Sequence, residues 1–393
     1  MTSAPIRNAL VVSLASLTLS FVGCGGDRTT GGDDAGGDVG ARTDAPMRDA
    51  ARVDDGATLN DAGSSPDAPL DAAATVDAGA SCGVCPTGTT CGSANGIPVC
   101  RTAAGIPRFT GVTVIVMENT SLSTLSGATN TPFIHTLFST GATGSNYHGT
   151  DHPSLPNYIA MTSGLDTSSI GCDCDPTGGT CTAISCNALL HGCGCPQAGQ
   201  HLGNQLDTAG LAWRDYGEDM GSPCNTATAG NYAARHIPFL YYPDVQTNAA
   251  RCAAHVVDYG EFDPVGDPQA FAMIAPNLVH DMHDPFPAGA SNLANGNAWL
   301  STNVPPITSS PAFQSGGLLV IVWDEDDLSG GLTGTNDPIA IVVLSPFARS
   351  AGYVSSVRAD HYSLLATIED GLGLSRLGRA ATATPLTDYF PPN

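Results

Sequence analysis

Basic side chains are scarce in this chain. Its 393 residues hold 14 lysines and arginines against 37 aspartates and glutamates, a formal net charge of -23. Such a chain has no basic stripe to neutralise a phosphate backbone, which excludes nucleic acid as a partner. The same deficit argues against electrostatic adhesion to an anionic membrane surface. Long apolar runs are missing as well. The run from Ala9 to Val22 is too short to span a bilayer comfortably, and no later segment is long and apolar enough to do so.

What the N-terminus does have is the pattern of an export signal. Arg7 supplies a positive start, the apolar run follows, and Phe21-Val22-Gly23-Cys24 closes it before the sequence turns polar. This ending resembles a bacterial lipobox, with Phe21 where leucine is usual. The expectation is lipidation at Cys24 and a tether to the cell envelope, the outer membrane first, without a transmembrane helix; plain secretion is the alternative. Residues 25 to 80 carry twelve Asp and four Arg, a net of -8, and almost no large apolar side chains. They cannot bury enough surface to offset chain entropy and read as a disordered, self-repelling linker.

Of thirteen cysteines, Cys24 accounts for one, four fall between Cys82 and Cys100, and eight between Cys172 and Cys252. Both remaining sets are even, as disulfides in an oxidising compartment require. Residues 81 to 101 form a small Cys-rich module. Its Cys82-Gly-Val-Cys85 invites a zinc or redox reading, but the later spacings and the lack of a nearby histidine favour disulfides. The stretch 171 to 196, rich in Cys, Gly and Thr, reads as a stapled insertion.

The body, from about 107 to 393, contains three continuous β-branched runs: Val112 to Met117, Leu318 to Trp323 and Ile339 to Leu344. Such runs suit strands buried on both faces. Thr131 to Phe138, Asn157 to Thr162, Gln205 to Trp213, Gln269 to Leu278 and His361 to Leu372 have helical character. The alternation predicts an α/β three-layer sandwich around a central, mostly parallel sheet.

Ligands collect at the carboxyl ends of strands in such sheets. Two runs end there in oxygen donors: Glu118-Asn119 after the first, and Asp324-Glu325-Asp326-Asp327 after the second. Each alone could be an acidic exit into solvent; together they could hold a divalent cation. In an acidic protein such a cation would also offset the charge of a phosphate. Ser154 follows His148-Gly-Thr-Asp151-His152-Pro and precedes a helix expected near Asn157. It is either a helix cap or a hydroxyl activated beside a metal and facing an anion at helix amides. Asp281-Met-His283-Asp284 could supply a ligand or a general acid, and His361, opening the last helix after Asp360, should stay neutral. For either histidine alone, a satisfied structural role competes.

In order along the chain, VIVMENTS (114–121), HPSLPNYIAMTSG (152–164), WRDYGEDM (213–220), RHIPFLYY (235–242), APNLVHDMHD (275–284), NAWL (297–300), LLVIVWDEDD (318–327), LSPFAR (344–349) and DHYSLLATIEDGLGL (360–374) resemble one bacterial phosphoesterase family. It includes phosphatidylcholine-type phospholipases C and acid phosphatases, in the alkaline-phosphatase-like fold group. The resemblance implies hydrolysis of a phosphate ester or phospholipid head group through a phosphoserine on Ser154. It implies a divalent metal held by Glu118, Asn119, Ser154, Asp324 and Glu325, with phosphate contacts from Asn157, His283 and His361. His283 and His361 would share the catalysis with Ser154. Because the body lacks long insertions and extra C-terminal domains, a small phosphatase-like activity is expected ahead of a large phospholipase. Two departures stand out. Asn297 replaces the usual Asp before Ala-Trp-Leu, and Thr335-Asn336-Asp337-Pro338 lacks a histidine. They leave room for a surface lipoprotein that keeps the fold as a ligand-binding module. A sulfatase or phosphonate-type relative is a third option.

Overall fold

A computed structural model of the protein describes residues 81–167, 170, 173–177, 196–283, 291–327, 337–349 and 352–392. The export signal, Cys24, the linker of residues 25 to 80, Asp284, Thr335, Asn336 and most of the Cys-rich insertion lie outside the described residues. Among the described residues no helix is long and apolar enough to cross a membrane.

The first elements are β1 (Thr89–Ala94) and β2 (Ile97–Thr102), an antiparallel hairpin. Asn95-Gly96 turns it, both residues at positive φ (52 and 78), the turn whose twist matches that of the strands. The CxxC sulfurs are spent in two disulfides, Cys82–Cys91 and Cys85–Cys100. Asn95 also donates to the carbonyls of Pro346 and Ala348, so the hairpin is seated on the body.

The body is built on β3 (Val112–Met117), β4 (Ala142–Gly144), β6 (Trp213–Gly217), β7 (Val256–Asp258), β8 (Phe271–Ala275), β9 (Leu318–Trp323), β10 (Ile341–Leu344) and β11 (Val354–Ser355). They form one sheet in the order β11-β4-β10-β9-β3-β8-β6-β7. The ladders from β9 through β7 are parallel, whereas β10 runs antiparallel to both β9 and β4. A separate two-stranded ladder pairs β5 (Tyr147–His148) with β12 (Ala359–Asp360). Every residue of β8 and β9 is buried, so both faces of the sheet are covered, and helices supply the two outer layers. The helices Ser154–Ser163 and His361–Leu372 pack together, as do Pro132–Thr140 and Asn292–Ser309.

Some expected helices differ from the structure. Gln269 to Leu278 is not helical: its centre is β8, a five-residue apolar strand between Pro268 and Pro276, too short for a helix and buried on both faces. The helix expected from Gln205 to Trp213 runs from Leu202 to Ala209 and ends at Gly210 in the left-handed region, after which Trp213 opens β6. The helix expected from Asn157 begins at Ser154. The 18-residue helix Asn292–Ser309 had no clear signal, because Pro305 and Pro306 sit in its last turns.

Within the last helix, Glu369 is fully buried, and one carboxylate oxygen accepts the Leu377 amide at 2.8 Å. Burial pushes its carboxyl from the ordinary 4.5 up to about 8. Between those values the folded protein keeps a proton that the unfolded chain has released, so stability falls as pH rises through this window. Melting temperatures of wild type should therefore drop from pH 5 to pH 8 more than those of Glu369→Gln. An identical pH dependence in the two proteins would contradict this.

Candidate active site

The register of two strands builds the site. Val112 pairs with Leu318 and Met117 with Trp323, without offset, so Glu118 and Asp324 leave the sheet side by side. The Asp324 amide donates to the Met117 carbonyl at 2.9 Å, and the Asn119 amide donates to Asp324 Oδ1 at 3.1 Å. Next to this pair, β8 ends in the turn that carries Asp281, whose backbone carbonyl accepts from the Glu118 amide at 2.8 Å.

Ser154 is the first residue of its helix, and its hydroxyl donates to Glu118 Oε2 at 2.7 Å. The Tyr158 hydroxyl, one turn on, donates to Glu118 Oε1 at 2.6 Å. His236 stacks on Tyr158, with Nε2 3.2 Å from Glu118 Oε1 and Nδ1 4.0 Å from Asp281 Oδ2. The Asn119 side chain donates to Glu325 Oε1 at 2.7 Å, and His152 Nδ1 lies 2.7 Å from Glu325 Oε2. Glu118, Asn119, Ser154, Asp324 and Glu325, from three separate stretches, therefore meet in one place.

Glu118, Asp324 and Glu325 are all buried, 1% exposed or less. Burial and the facing Glu118 and Glu325 push the Asp324 carboxyl well above the ordinary range. Burial likewise raises Glu325 to about 7, against the pull of His152. Glu118 is the exception: burial would raise it, but His236, His283 and the Tyr158 hydroxyl hold it below the usual range. Burial opposes a charge on His152 too, yet Glu325 and Asp326 raise it. Burial drops His236 to about 3, against the pull of Glu118.

This cluster suits a cation. Asp324 Oδ2 and Asn119 Oδ1 are buried with no hydrogen-bond partner, beside a carboxylate and a hydroxyl. Two acceptor oxygens left unpaired in a low-dielectric site are costly unless a positive group meets them. Among the described residues no three of the site's His, Asp and Glu groups bring ligand atoms within 4.8 Å of one another. The oxygen set that fits is thus mixed: carboxylates, the Asn119 amide oxygen and the Ser154 hydroxyl, all hard donors.

The remaining sequence candidates lie around this core. His283 sits at the described edge, half-buried, its amide held by Asp281 Oδ1 at 3.0 Å, and it acts electrostatically on Glu118. His361 is fully buried with both ring nitrogens engaged: Tyr147 Oη at 3.1 Å and the Asp324 carbonyl at 2.6 Å. Burial lowers it to about 4. It steadies the strand exit that carries Asp324. Asn157 ties the loop before Ser154, its Oδ1 accepting from Thr150 and Asp151 and its Nδ2 donating to the Asp151 carbonyl at 2.7 Å. Asn297 is committed elsewhere: its Oδ1 accepts the Phe133 and Ile134 amides, capping the helix Pro132–Thr140. Tyr158, Arg235 and His236 had no assigned role from sequence, although the adjacent Arg235-His236 pair within RHIPFLYY was the available signal.

The sequence profile of the Phosphoesterase family matches residues 118–375. A phosphatidylinositol-3-phosphatase of Mycobacterium tuberculosis is 29% identical over 292 residues, covering 73% of this chain and 85% of that protein. An acid phosphatase of Aspergillus fumigatus is 27% identical over 256 residues, covering 62% of this chain and 51% of that one. A solved structure from Vibrio parahaemolyticus, described as belonging to the alkaline phosphatase superfamily, superposes with a TM-score of 0.48 at 12% identity, covering 76% of this chain and 74% of that one.

Gly149 lets the loop before Ser154 approach the strand exit that carries Asp324 and Glu325. A Cβ there would stand 2.8 Å from the Asp324 carbonyl oxygen and 3.3 Å from Glu325 Cα, both backbone atoms. Gly149→Ala should leave the circular dichroism spectrum unchanged and lower kcat/KM for p-nitrophenyl phosphate roughly tenfold or more, the scale of small misplacements at reacting centres. Wild-type kinetics in this variant would show that the approach is not needed.

Proposed function

The chain belongs to the phosphoesterase family, and we propose that it hydrolyses phosphate esters by passing the phosphoryl group through Ser154. The observation that carries this reading is the Ser154–Glu118 contact at 2.7 Å, inside a cluster of buried carboxylates that wants a cation. The nucleophile and the group able to take its proton are already in hydrogen-bond contact.

In this reading the Ser154 oxygen attacks phosphorus, its proton passes to Glu118, and the bond from phosphorus to the ester oxygen breaks. The departing alkoxide takes a proton from His283, the half-buried histidine beside the cluster. Water, giving a proton to His283, then attacks the phosphoserine; the bond from phosphorus to the Ser154 oxygen breaks, that oxygen takes its proton back from Glu118, and inorganic phosphate leaves. A divalent cation held by two of the carboxylates Glu118, Asp324 and Glu325 together with Asn119 and Ser154 would lower the hydroxyl's pKa and offset the phosphate charge. Tyr158 and His236 hold Glu118 in place, and His152 holds Glu325. His361 and Asn157 support this arrangement through the Asp324 exit and the loop before Ser154.

The relatives named as phosphatases favour a phosphatase-type substrate, with a phosphoinositide or another phosphomonoester as first choices. An exported location fits the disulfides Cys82–Cys91, Cys85–Cys100 and Cys224–Cys252. The lipid tether at Cys24 is part of the same proposal. The departure at Asn297, which motivated a purely binding role, is explained by its helix-capping contacts.

Ser154→Ala should abolish hydrolysis of p-nitrophenyl phosphate without changing the melting temperature by more than a few degrees; near-normal turnover would reject Ser154 as nucleophile. Asp324→Asn should reduce the divalent metal that co-purifies with the protein, read by elemental analysis, and EDTA should silence the wild type. Retention of full metal content in Asp324→Asn would exclude Asp324 from the ligand set.

A further inference from the structure

The helix that presents Ser154 is short of its own means of starting. Its N-cap is Pro153, which makes no side-chain cap. Of the four amides at such a start, those of Pro153 and Pro156 do not exist, leaving the N–H groups of Ser154 and Leu155. The Leu155 amide donates to Asp173 Oδ1 at 2.9 Å, a cap delivered from the Cys-rich segment. The other oxygen of Asp173 lies 3.5 Å from Nε of Arg235. The segment bearing Asp173 is clasped in turn: Tyr241 donates to the Cys174 carbonyl, Gln246 donates to the Pro176 carbonyl at 2.6 Å, and Cys174 is disulfide-bonded. The side chains of Arg235 and Asp173 are 26% and 28% exposed, so this pair reaches solvent while Glu118 is fully buried.

We propose that Asp173 is a positioning residue for phosphate capture: it caps the Ser154 helix from outside and holds the Arg235 guanidinium at the mouth of the site, where that cation receives the substrate's phosphate. The proposal rests on the phosphoesterase reading. Its logic is one of competing anions. Glu118 and Asp281 also attract Arg235. Without an outward partner the guanidinium would turn toward those buried carboxylates and neutralise the edge that must hold a cation. Asp173 draws it the other way. The cap then occupies the Leu155 amide and leaves the Ser154 N–H, with the arginine, for the phosphate oxygens. In a chain with 14 lysines and arginines, holding one of them in place matters to the capture of an anion.

The test uses Asp173→Asn, Arg235→Ala and the double variant, with two readouts: steady-state kinetics on p-nitrophenyl phosphate and calorimetric titration of inorganic phosphate. Asparagine keeps an oxygen for the Leu155 amide but loses the ion pair, so a purely structural cap would be preserved. Asp173→Asn should keep the wild-type melting temperature yet raise KM and the phosphate Kd roughly tenfold, with a smaller change in kcat. The double variant should be no worse than Arg235→Ala alone, because the two residues act as one. Wild-type KM and phosphate affinity in Asp173→Asn, or losses that multiply in the double variant, would overturn the proposal. If the wild-type protein hydrolysed no ester, the catalytic reading would fall, and the phosphate titration would still decide the role of Asp173.

Discussion

Three carboxylates buried side by side repel one another, and much of the architecture around Glu118, Asp324 and Glu325 answers that cost. Burying one ionised carboxylate is expensive, and like charges in a low dielectric raise each other's pKa further. The strand register allows no escape, since unshifted pairing of β3 with β9 delivers Glu118 and Asp324 to the same point. Each carboxylate has its own answer. Glu118 receives two hydroxyls with the His236 ring alongside, Glu325 two side-chain amides and a histidine, and Asp324 two backbone amides. One Asp324 oxygen remains unsatisfied, which is where the demand for a cation concentrates.

A second theme is the capping of helices from a distance. The helix Pro132–Thr140 begins after Thr131, which makes no side-chain cap, and takes one from Asn297. The helix of Ser154 begins after Pro153 and takes one from Asp173. In both cases the first turn is tied to a segment remote in sequence, so its position is set by tertiary structure. For Ser154, the first helical residue, this fixes the hydroxyl against Glu118 within hydrogen-bond distance. His361 does similar work at the strand exit, pinned between Tyr147 and the Asp324 carbonyl.

Much of this was legible in the residues. The β-branched runs of β3 and β9 are unmistakable, and the acidic residues that close them point to the carboxyl edge of the sheet. Ser154 was marked by its place before a helix. The strand β8 was not legible, because Phe-Ala-Met-Ile-Ala has no period that separates a short buried strand from a helix; only its flanking prolines gave a hint. The helix Asn292–Ser309 was hidden by Pro305 and Pro306. Within the site, the roles of His361 and Asn157 as supports and of Asn297 as a cap depend on contacts between residues more than a hundred positions apart, or on a folded loop. Local pattern carries no trace of such contacts. His236 escaped for the same reason: its meaning comes from stacking on Tyr158.

The proposed role of a serine held against a carboxylate, at a sheet edge that suits a cation, is to transfer a phosphoryl group in two steps. The most direct measurement is to quench the protein in acid during turnover of a phosphate ester and map the phosphate by peptide mass spectrometry. Phosphate on the peptide containing Ser154, absent from Ser154→Ala, is the expected result. Rapid hydrolysis by the wild type with no phosphorylated peptide under conditions where hydrolysis of the intermediate is slowed would contradict the central claim.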